Sequence, residues 1–326
     1  MNILIVIRNI IPAFGYGGTE RVMWYLGREL VGMGHKVTYL ATPGSSSPFA
    51  RVIPINDDIP LVQQIPDDVD VIHFNDHLPD GEIPRPYIIT YHGNFLREPL
   101  DANAVFVSRN HAERYGSTQY VYNGMDWDDY GCVPLDNERR HFHFLGQVAW
   151  SQKNIRGALD VIRQVPGGRI TVMGGKRLNL KHGLHFYTSR RARFVGMVGG
   201  EEKLDILRGS RGLLFPVRWY EPFGIAITES LYCGAPVFGT PYGSLPELVP
   251  PEVGFLSTSA QTLAQHINDD YHYTPRRCHE YARDCFNAHV MAEAYVDKYE
   301  RVLAGQPLNV QRPTMVVPDR KHLEWH

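Results

Sequence analysis

Residues 217–236 read VRWYEPFGIAITESLYCGAP, and the two carboxylates of this stretch, Glu221 and Glu229, are eight positions apart. A helix is predicted to begin near Gly224, directly after the turn that follows Glu221. Backbone N–H groups and the positive end of the helix dipole point outward at such a start, which suits a phosphate group. Eight helical positions span roughly 12 Å, about the length of a pyrophosphate with a sugar at each end. One acid on each side of a phosphate-binding helix end therefore suits a nucleotide-sugar.

The composition is that of a globular protein large enough for two domains. The chain has 326 residues, of which 43% are hydrophobic and 21% are charged. Residues 1–142 carry 11 Lys and Arg against 18 Asp and Glu, whereas residues 143–326 carry 22 against 17. We therefore expect an anionic ligand to bind mainly to the second half.

Several classes of protein are disfavoured by simple patterns. The four cysteines form no C-x-x-C pair, so neither a disulfide scaffold nor a zinc site is predicted. The N-terminal sequence lacks the pattern of a signal peptide, and no run of 18 apolar residues predicts a membrane span. These patterns favour a reducing, cytoplasmic location.

Strand and helix patterns alternate along the chain. Continuous apolar runs such as NILIVI (2–7) are typical of buried parallel strands, and QYVYNGMD (119–126) is predicted to close the first set. The alternation predicts an α/β fold with two Rossmann-like, doubly wound domains. We expect one domain over 1–140, a second over 141–286, and a C-terminal helix and tail (287–326) that pack back on the first. Ligands bind at the carboxyl ends of such strands.

The opening stretch resembles the retaining family-4 glycosyltransferases of the GT-B fold. Their signature is E-P-F-G, a second Glu after seven intervening residues, and then G-x-P, and all of these positions are present here. The resemblance extends from Met1 to about residue 303. It implies two Rossmann-like domains that face a central cleft, with Glu221 directed at hydroxyls of the transferred sugar and Glu229 at the ribose. It also implies that the amides of Phe223, Gly224 and Ile225 hold the distal phosphate.

Three further positions of the first half match the family. GYGGTE (15–20) has Glu20 where a dinucleotide fingerprint needs its third glycine, which weakens an NAD interpretation. The resemblance makes it a loop near acceptor and donor phosphate, formed by Gly17, Gly18 and Thr19. His92 in TYHG matches a histidine that approaches the donor sugar, and it is a catalytic candidate with Glu221. Asn123 in YNGMD is expected on the acceptor side, although Asn-Gly is also a common turn.

The second half supplies the other predicted donor contacts. Lys153 in GQVAWSQKN matches the family lysine and is the third catalytic candidate, as a positive charge for the departing diphosphate. Gln147 stands where the family usually has Arg, which puts one phosphate contact in doubt unless Arg156 or Arg218 compensates. Weaker matches place Gly174 in a glycine turn, Val195 at the nucleobase, and residues 239–247 in a loop beside the sugar.

A metal site is not predicted. D-x-D patterns, which metal-dependent GT-A enzymes use, occur at 126–129 and 67–70, but two are unsurprising among 35 acids. GT-B enzymes replace the metal by helix dipole and Lys or Arg charge. Neither a metal nor another cofactor is expected.

The resemblance thus implies a retaining, metal-independent transfer from a nucleotide-diphosphate sugar, UDP favoured and GDP next. The acceptor is a glycan, glycolipid or small molecule, and no nucleic-acid partner is expected. The short, acidic first half argues mildly against docking on an anionic membrane, but peripheral contact and the oligomeric state stay open. The alternatives are a GT-B epimerase or phosphorylase, a non-catalytic nucleotide-sugar-binding protein and, more distantly, an NAD dehydrogenase.

Overall fold

The chain divides into two compact units, each made of two segments. Unit 1 comprises Met1–Trp127 with Phe286–Pro318, and unit 2 comprises Asp128–Cys285 with Asp319–His326. The computed structural model describes residues 1–13, 18–94, 99–179, 185–320 and 322–326.

The first division falls before the boundary predicted at residue 140. The segment that precedes residue 140 goes with unit 2 because its side chains bind there. Arg139, for example, donates hydrogen bonds to the carbonyl oxygens of Ser210 (2.9 Å) and Cys233 (2.8 Å). These polar contacts leave no signal in the hydrophobic pattern.

Unit 1 contains a parallel sheet in which the described residues form six strands, in the order β3-β2-β1-β4-β5-β6. The strands are β1 (Asn2–Ile7), β2 (Lys36–Ala41), β3 (Arg51–Pro54), β4 (Val71–Asn75), β5 (Tyr87–Tyr91) and β6 (Ala104–Phe106). β1 lies inside the sheet, and the side chains of Leu4 and Ile5 are fully buried. A strand covered on both faces needs an apolar residue at nearly every position, as NILIVI provides.

Two helices of unit 1 precede the C-terminal one. α1 (Thr19–Gly32) follows the glycine-rich stretch of sequence, and α2 (Arg109–Arg114) begins after Ser108, whose side chain accepts a hydrogen bond from the N–H of His111. The strand predicted over 119–126 is wrong. Among the described residues, the segment makes only two isolated bridges, Tyr120 with Phe106 and Met125 with Asn287, because its end packs on a C-terminal segment of unit 1. The N–H of Met125 donates to the carbonyl oxygen of Phe286 (2.9 Å).

Unit 2 repeats the architecture, again with six parallel strands among its described residues, in the order β11-β8-β7-β12-β13-β14. These strands are β7 (His141–Leu145), β8 (Ile170–Met173), β11 (Ala192–Gly196), β12 (Ser210–Phe215), β13 (Val237–Gly239) and β14 (Gly254–Leu256). A small antiparallel pair is formed by β9 (Leu178–Asn179) and β10 (His185–Phe186). The helices are α3 (Ile155–Gln164), α4 (Gly200–Arg208), α5 (Ile225–Tyr232), α6 (Leu245–Leu248), α7 (Ala260–Asp269) and α8 (Pro275–Cys285).

The last helix belongs to unit 1. α9 (Ala288–Leu303) buries Tyr295 and Tyr299, whose hydroxyl groups form hydrogen bonds with Thr90 (3.0 Å) and His73 (2.8 Å) of the sheet. This polar cluster is fully buried, and every member described here has a partner.

The chain then returns to unit 2 with its C-terminal tail, residues 319–326. The N–H of Leu323 donates to the carbonyl oxygen of Arg218 (2.8 Å), and Nε of Arg218 donates back to the carbonyl oxygen of Leu323 (2.8 Å). Trp325 packs against the core cluster of unit 2 that includes α3. The tail therefore covers the loop that leads from β12 to α5.

The predicted α/β class with two parallel sheets is confirmed. In the ranges given above, no helix combines the length and apolar character required to cross a bilayer.

Candidate functional site

Glu221 follows β12 and forms a nearly buried ion pair with Lys153. Nζ of Lys153 lies 2.6 Å from Oε2 of Glu221, and the indole Nε1 of Trp219 donates to the same oxygen (2.8 Å). The side chains of the pair are 11% and 7% exposed. The ammonium group also lies over the rings of Phe215 and Trp219, 5.3 and 5.0 Å from their centroids. Aromatic faces add an attraction that a desolvated ammonium group would otherwise lack.

Lys153 is positioned by a short turn after β7. Residues Ser151–Lys153 form one turn of 3-10 helix, and Asn154 then adopts a left-handed conformation with φ of 54°. The side chain of Asn154 accepts from the N–H of Gly157 (3.0 Å) and donates to the carbonyl oxygen of Pro216 (2.9 Å). Asn154 thus caps α3, and its hydrogen bond to Pro216 links the turn that contains Lys153 to the residue that follows β12.

The loop over residues 239–247 holds the backbone of Glu221. Gly243 has φ of +62°, and a Cβ there would lie 2.3 Å from the backbone nitrogen of Glu221. The N–H of Ser244 donates to the carbonyl oxygen of Glu221 (2.9 Å), and the Ser244 hydroxyl donates to that of Phe223 (2.7 Å). The structure therefore brings the predicted sugar-side loop into direct contact with Glu221, in a space that only glycine fits.

Glu229 lies inside α5 and is almost fully buried. Its Oε1 is 2.6 Å from Nζ of Lys203 on α4 and also accepts a hydrogen bond from the hydroxyl of Tyr130. The ammonium group of Lys203 lies over the ring of Tyr130, 5.6 Å from its centroid. Lys203, Tyr130 and Trp219 were not predicted from the sequence. Of these, only Trp219 has a local signal, because it stands two residues before Glu221.

The start of α5 has the features expected of an anion site. Gly224 is its N-cap residue with φ of +85°, and no side chain caps the helix. N–H groups of a first turn have no partners within their own helix. The predicted amide contacts of Phe223, Gly224 and Ile225 all lie at this start, between the two acids in sequence.

Other predicted donor contacts follow β7 and β8 or lie near the end of β11. Gln147 is partly buried in the turn after β7, and Gly174 follows β8, where its N–H donates to the carbonyl oxygen of Gly196 (2.7 Å). Val195 lines a hollow of about 540 Å³ with Lys176, Arg177 and Phe194. Of the two cations expected to compensate for Gln147, Arg218 is held by the tail and Arg156 is exposed.

His92 directly follows β5 in unit 1. Its N–H donates to Oδ1 of Asp76 (2.7 Å), and its Nε2 lies 2.8 Å from Oδ1 of Asn75. Burial lowers the pKa of His92, and the charge of Asp76 acts in the opposite direction. The imidazole is therefore neutral near pH 7, and it is held by Asn75 at the end of the neighbouring strand β4.

The remaining predicted residues of unit 1 differ in setting. Gly18 is the N-cap residue of α1 and Thr19 its first residue, whereas Gly17 lies outside the described residues. Asn123 is buried, and its Oδ1 has no hydrogen-bond partner in the described part of the chain. A buried carbonyl oxygen without a donor is unusual, so Asn123 keeps its predicted role as a candidate ligand contact.

Outside the four gaps in the described chain, no three His, Cys, Asp or Glu side chains are grouped as metal ligands would be. Asp126 of the first D-x-D pattern forms an ion pair with Arg28.

Residues 139–271 match the model of the family described as Glycosyl transferases group 1. A comparison with curated proteins gave no match. One similar solved structure is AviGT4, a glycosyltransferase involved in avilamycin A biosynthesis, with 22% identity and a TM-score of 0.77 over 93% of this chain and 98% of that chain. Sucrose-phosphate synthase from Thermosynechococcus elongatus has 18% identity and a TM-score of 0.69 over 94% of this chain and 100% of that chain. HepE of Anabaena in complex with UDP and glucose has 16% identity and a TM-score of 0.64 over 92% of this chain and 99% of that chain. The two units therefore have the GT-B fold.

Proposed function

We propose that this chain, which has the GT-B fold and whose residues 139–271 match Glycosyl transferases group 1, transfers a sugar from a nucleotide-diphosphate sugar with retention of configuration. The proposal depends mainly on two buried Glu–Lys contacts, Glu221 with Lys153 and Glu229 with Lys203. Glu221 precedes the start of α5 and Glu229 lies within the helix, and no side-chain hydrogen bond of the described residues caps that start.

The Glu221 contact supports a role in donor binding. Removing two charges from water is costly, and a single ion pair offsets that cost only in part. A bound diphosphate would give Lys153 a second anionic partner, and Glu221 would then accept hydrogen bonds from two neighbouring sugar hydroxyls. The aromatic rings beneath Lys153 keep its ammonium group in place during such an exchange.

The proposed reaction needs little covalent work from the protein. The bond between C1 of the sugar and the phosphate oxygen breaks, and the acceptor oxygen bonds to C1 on the same face. The acceptor's proton passes to the leaving phosphate. Lys153 and the amides at the start of α5 stabilise the leaving charge, while Glu221 orients the sugar.

UDP is the proposed donor nucleotide, and GDP is next. The structure of HepE of Anabaena with UDP and glucose supports UDP, whereas starch synthase IV of Arabidopsis thaliana, another structural neighbour, was solved with ADP and acarbose. The acceptor is proposed to be a glycan, glycolipid or small molecule. The cytoplasmic location and the absence of a metal requirement stay predictions.

A calorimetric panel tests the proposal without knowledge of the acceptor. UDP, GDP and ADP, each free and as its glucose conjugate, are titrated into the full chain with and without EDTA. We expect one nucleotide to bind, its sugar conjugate to bind more tightly, and EDTA to change neither. Binding of NAD alone would overturn the proposal. Tight binding of a nucleotide-sugar that no acceptor ever consumes would favour the non-catalytic alternative, which Gln147 motivates.

A further inference from the structure

A second concave surface lies in unit 2, at the edge of the sheet opposite to Glu221 and Lys153. Its volume is about 830 Å³, and it is formed at the starts of β7, β8 and β11. We call it the arginine hollow, after the charged residues that line it: Arg140, His141, Arg169, Arg190, Arg191 and Arg193.

The sheet brings these cations side by side. The N–H of Phe142 donates to the carbonyl oxygen of Arg169 (2.9 Å), and the N–H of Ile170 donates to that of Arg191 (2.9 Å). The positions before β7, β8 and β11 are therefore level on three adjacent strands, which lie about 4.8 Å apart. Burial is the main cause that lowers the pKa of His141, and the charge of Arg193 adds to it.

The positive charge of the hollow is only partly compensated. Arg140 pairs with the exposed Glu138, and Nη1 of Arg191 donates to three carbonyl oxygens near the end of α3. In the part of the chain that the structure describes, the side chains of Arg169, Arg190 and Arg193 form no ion pair or hydrogen bond. The lining contains no carboxylate.

The hollow lies at the opposite ends of the strands from the proposed sugar and phosphate contacts. Those contacts follow β7 and β12, whereas the hollow is formed before and at the first residues of β7, β8 and β11. Its member Arg193 also lines the smaller hollow of Val195. The five residues of β7 span about 16 Å. Phosphates bound at the start of α5 therefore do not extend to the hollow.

We propose that the arginine hollow binds a ligand that carries clustered phosphate groups. Guanidinium groups match phosphate oxygens in pairs, and each phosphate brings up to two negative charges to a surface that lacks them. The volume lies within the range of small-molecule sites. The ligand is thus distinct from the sugar donor. The hollow also accounts for some of the Lys and Arg residues by which basic side chains outnumber acidic ones in the second half of the chain and which the donor site does not involve.

The test uses inorganic tripolyphosphate, titrated calorimetrically into the full chain in the presence of excess UDP. The hollow variant Arg169→Gln/Arg190→Gln changes two exposed residues that line the arginine hollow but not the hollow of Val195. It is compared with Arg276→Gln/Arg277→Gln, which removes the same charge from exposed positions on α8. We expect binding to weaken roughly tenfold or more in the hollow variant and to change little in the control. Because these arginines are exposed, the thermal midpoint should be the same in all three proteins.

A second arm replaces tripolyphosphate by phosphatidylcholine vesicles that contain phosphatidic acid. A selective loss in the hollow variant with either probe supports the proposal and shows whether the phosphates come from a soluble compound or a lipid. Equal losses in the two variants would mean general charge attraction and overturn it. So would the failure of both probes to bind the wild-type chain.

Discussion

Nζ of Lys153 and Oε2 of Glu221 lie 2.6 Å apart although 68 residues separate them in the sequence. One residue follows β7 and the other follows β12, and these strands are neighbours in the sheet of unit 2. Each charge is withdrawn from water and depends on the other, or on a bound ligand, for compensation.

Glu221→Gln should reduce kcat/KM by about 100-fold or more. The amide cannot accept hydrogen bonds from two sugar hydroxyls with a full negative charge, and it leaves Lys153 unpaired when no donor is bound. The measurement is steady-state transfer from the donor that the nucleotide panel identifies. Glu252→Gln, at an exposed position of the same unit, is the control. Transfer by Glu221→Gln at nearly the wild-type rate would rule out the assigned role.

Lys153→Met and Glu221→Gln should be strongly coupled in stability. Either substitution alone leaves a buried charge without a partner and should lower the free energy of unfolding of unit 2 by about 3 kcal/mol. The double variant removes both charges, so its loss should be clearly smaller than the sum of the two. Thermal or urea unfolding of the four proteins gives the coupling energy. An additive result would mean that the two groups do not form a pair in solution.

Gly243→Ala should impair the reaction by displacing Glu221. The added Cβ would lie 2.3 Å from a backbone atom of Glu221, and the position has φ of +62°. Gly167→Ala is a matched control, because Gly167 has φ of +64° but no neighbouring atom within 4 Å of the added Cβ. Both changes introduce backbone strain of about 1 kcal/mol. Only Gly243→Ala should lower kcat/KM, by about tenfold or more, and equal activities would contradict the contact.

Trp325→Ala should destabilise the loop that leads from β12 to α5, although Trp325 lies outside that loop. Its ring packs on Gly157 of α3, where a Cβ would lie 2.8 Å from Cε2 of the indole, and it anchors the tail that binds Arg218. We expect unit 2 to lose about 2 kcal/mol of stability and to bind the donor more weakly. Val310→Ala, at a fully exposed position of unit 1, is the control for calorimetry and thermal unfolding. Unchanged donor affinity would limit the tail to a structural role.

Stability should fall as the pH is lowered below about 6.5. Burial lowers the pKa of both His73 and His143 to about 3. Between pH 3 and 6.5 the unfolded chain binds protons that the folded chain does not, so unfolding becomes easier with each step toward acid. Each histidine contributes up to about 1.4 kcal/mol per pH unit in that range. His143→Gln should reduce the pH dependence of the thermal midpoint between pH 7 and 5, and an unchanged slope would argue against a neutral, buried His143.

Most of the sheet architecture could be predicted from local sequence. Strands that are buried on both faces must be apolar throughout, and the loops that follow them carry Lys153, Glu221 and the glycines of residues 239–247. The sequence therefore predicts which residues follow a strand, and these residues come together at the carboxyl ends of the parallel strands.

The partners of these residues could not be predicted, because they depend on tertiary packing. Lys203 and Tyr130 are 26 and 99 residues from Glu229, and nothing in their neighbours marks them as its partners. The segment 119–126 contains the apolar run Tyr120–Tyr122 that predicts a strand. However, Gly124 packs so tightly on the backbone of Asn287 that a Cβ would lie 2.2 Å from its carbonyl oxygen. A contact with a residue so far along the chain overrides the local preference.

The division of the chain has a consequence for attempts to recombine it with relatives. The backbone passes from one unit to the other at three places, between residues 127 and 128, 285 and 286, and 318 and 319. A chimaera that exchanges unit 2 as a block therefore needs three junctions. One that joins two halves only between residues 127 and 128 places a foreign α9 against the sheet of unit 1. The same three passages mean that one proteolytic cut between the units leaves them covalently joined.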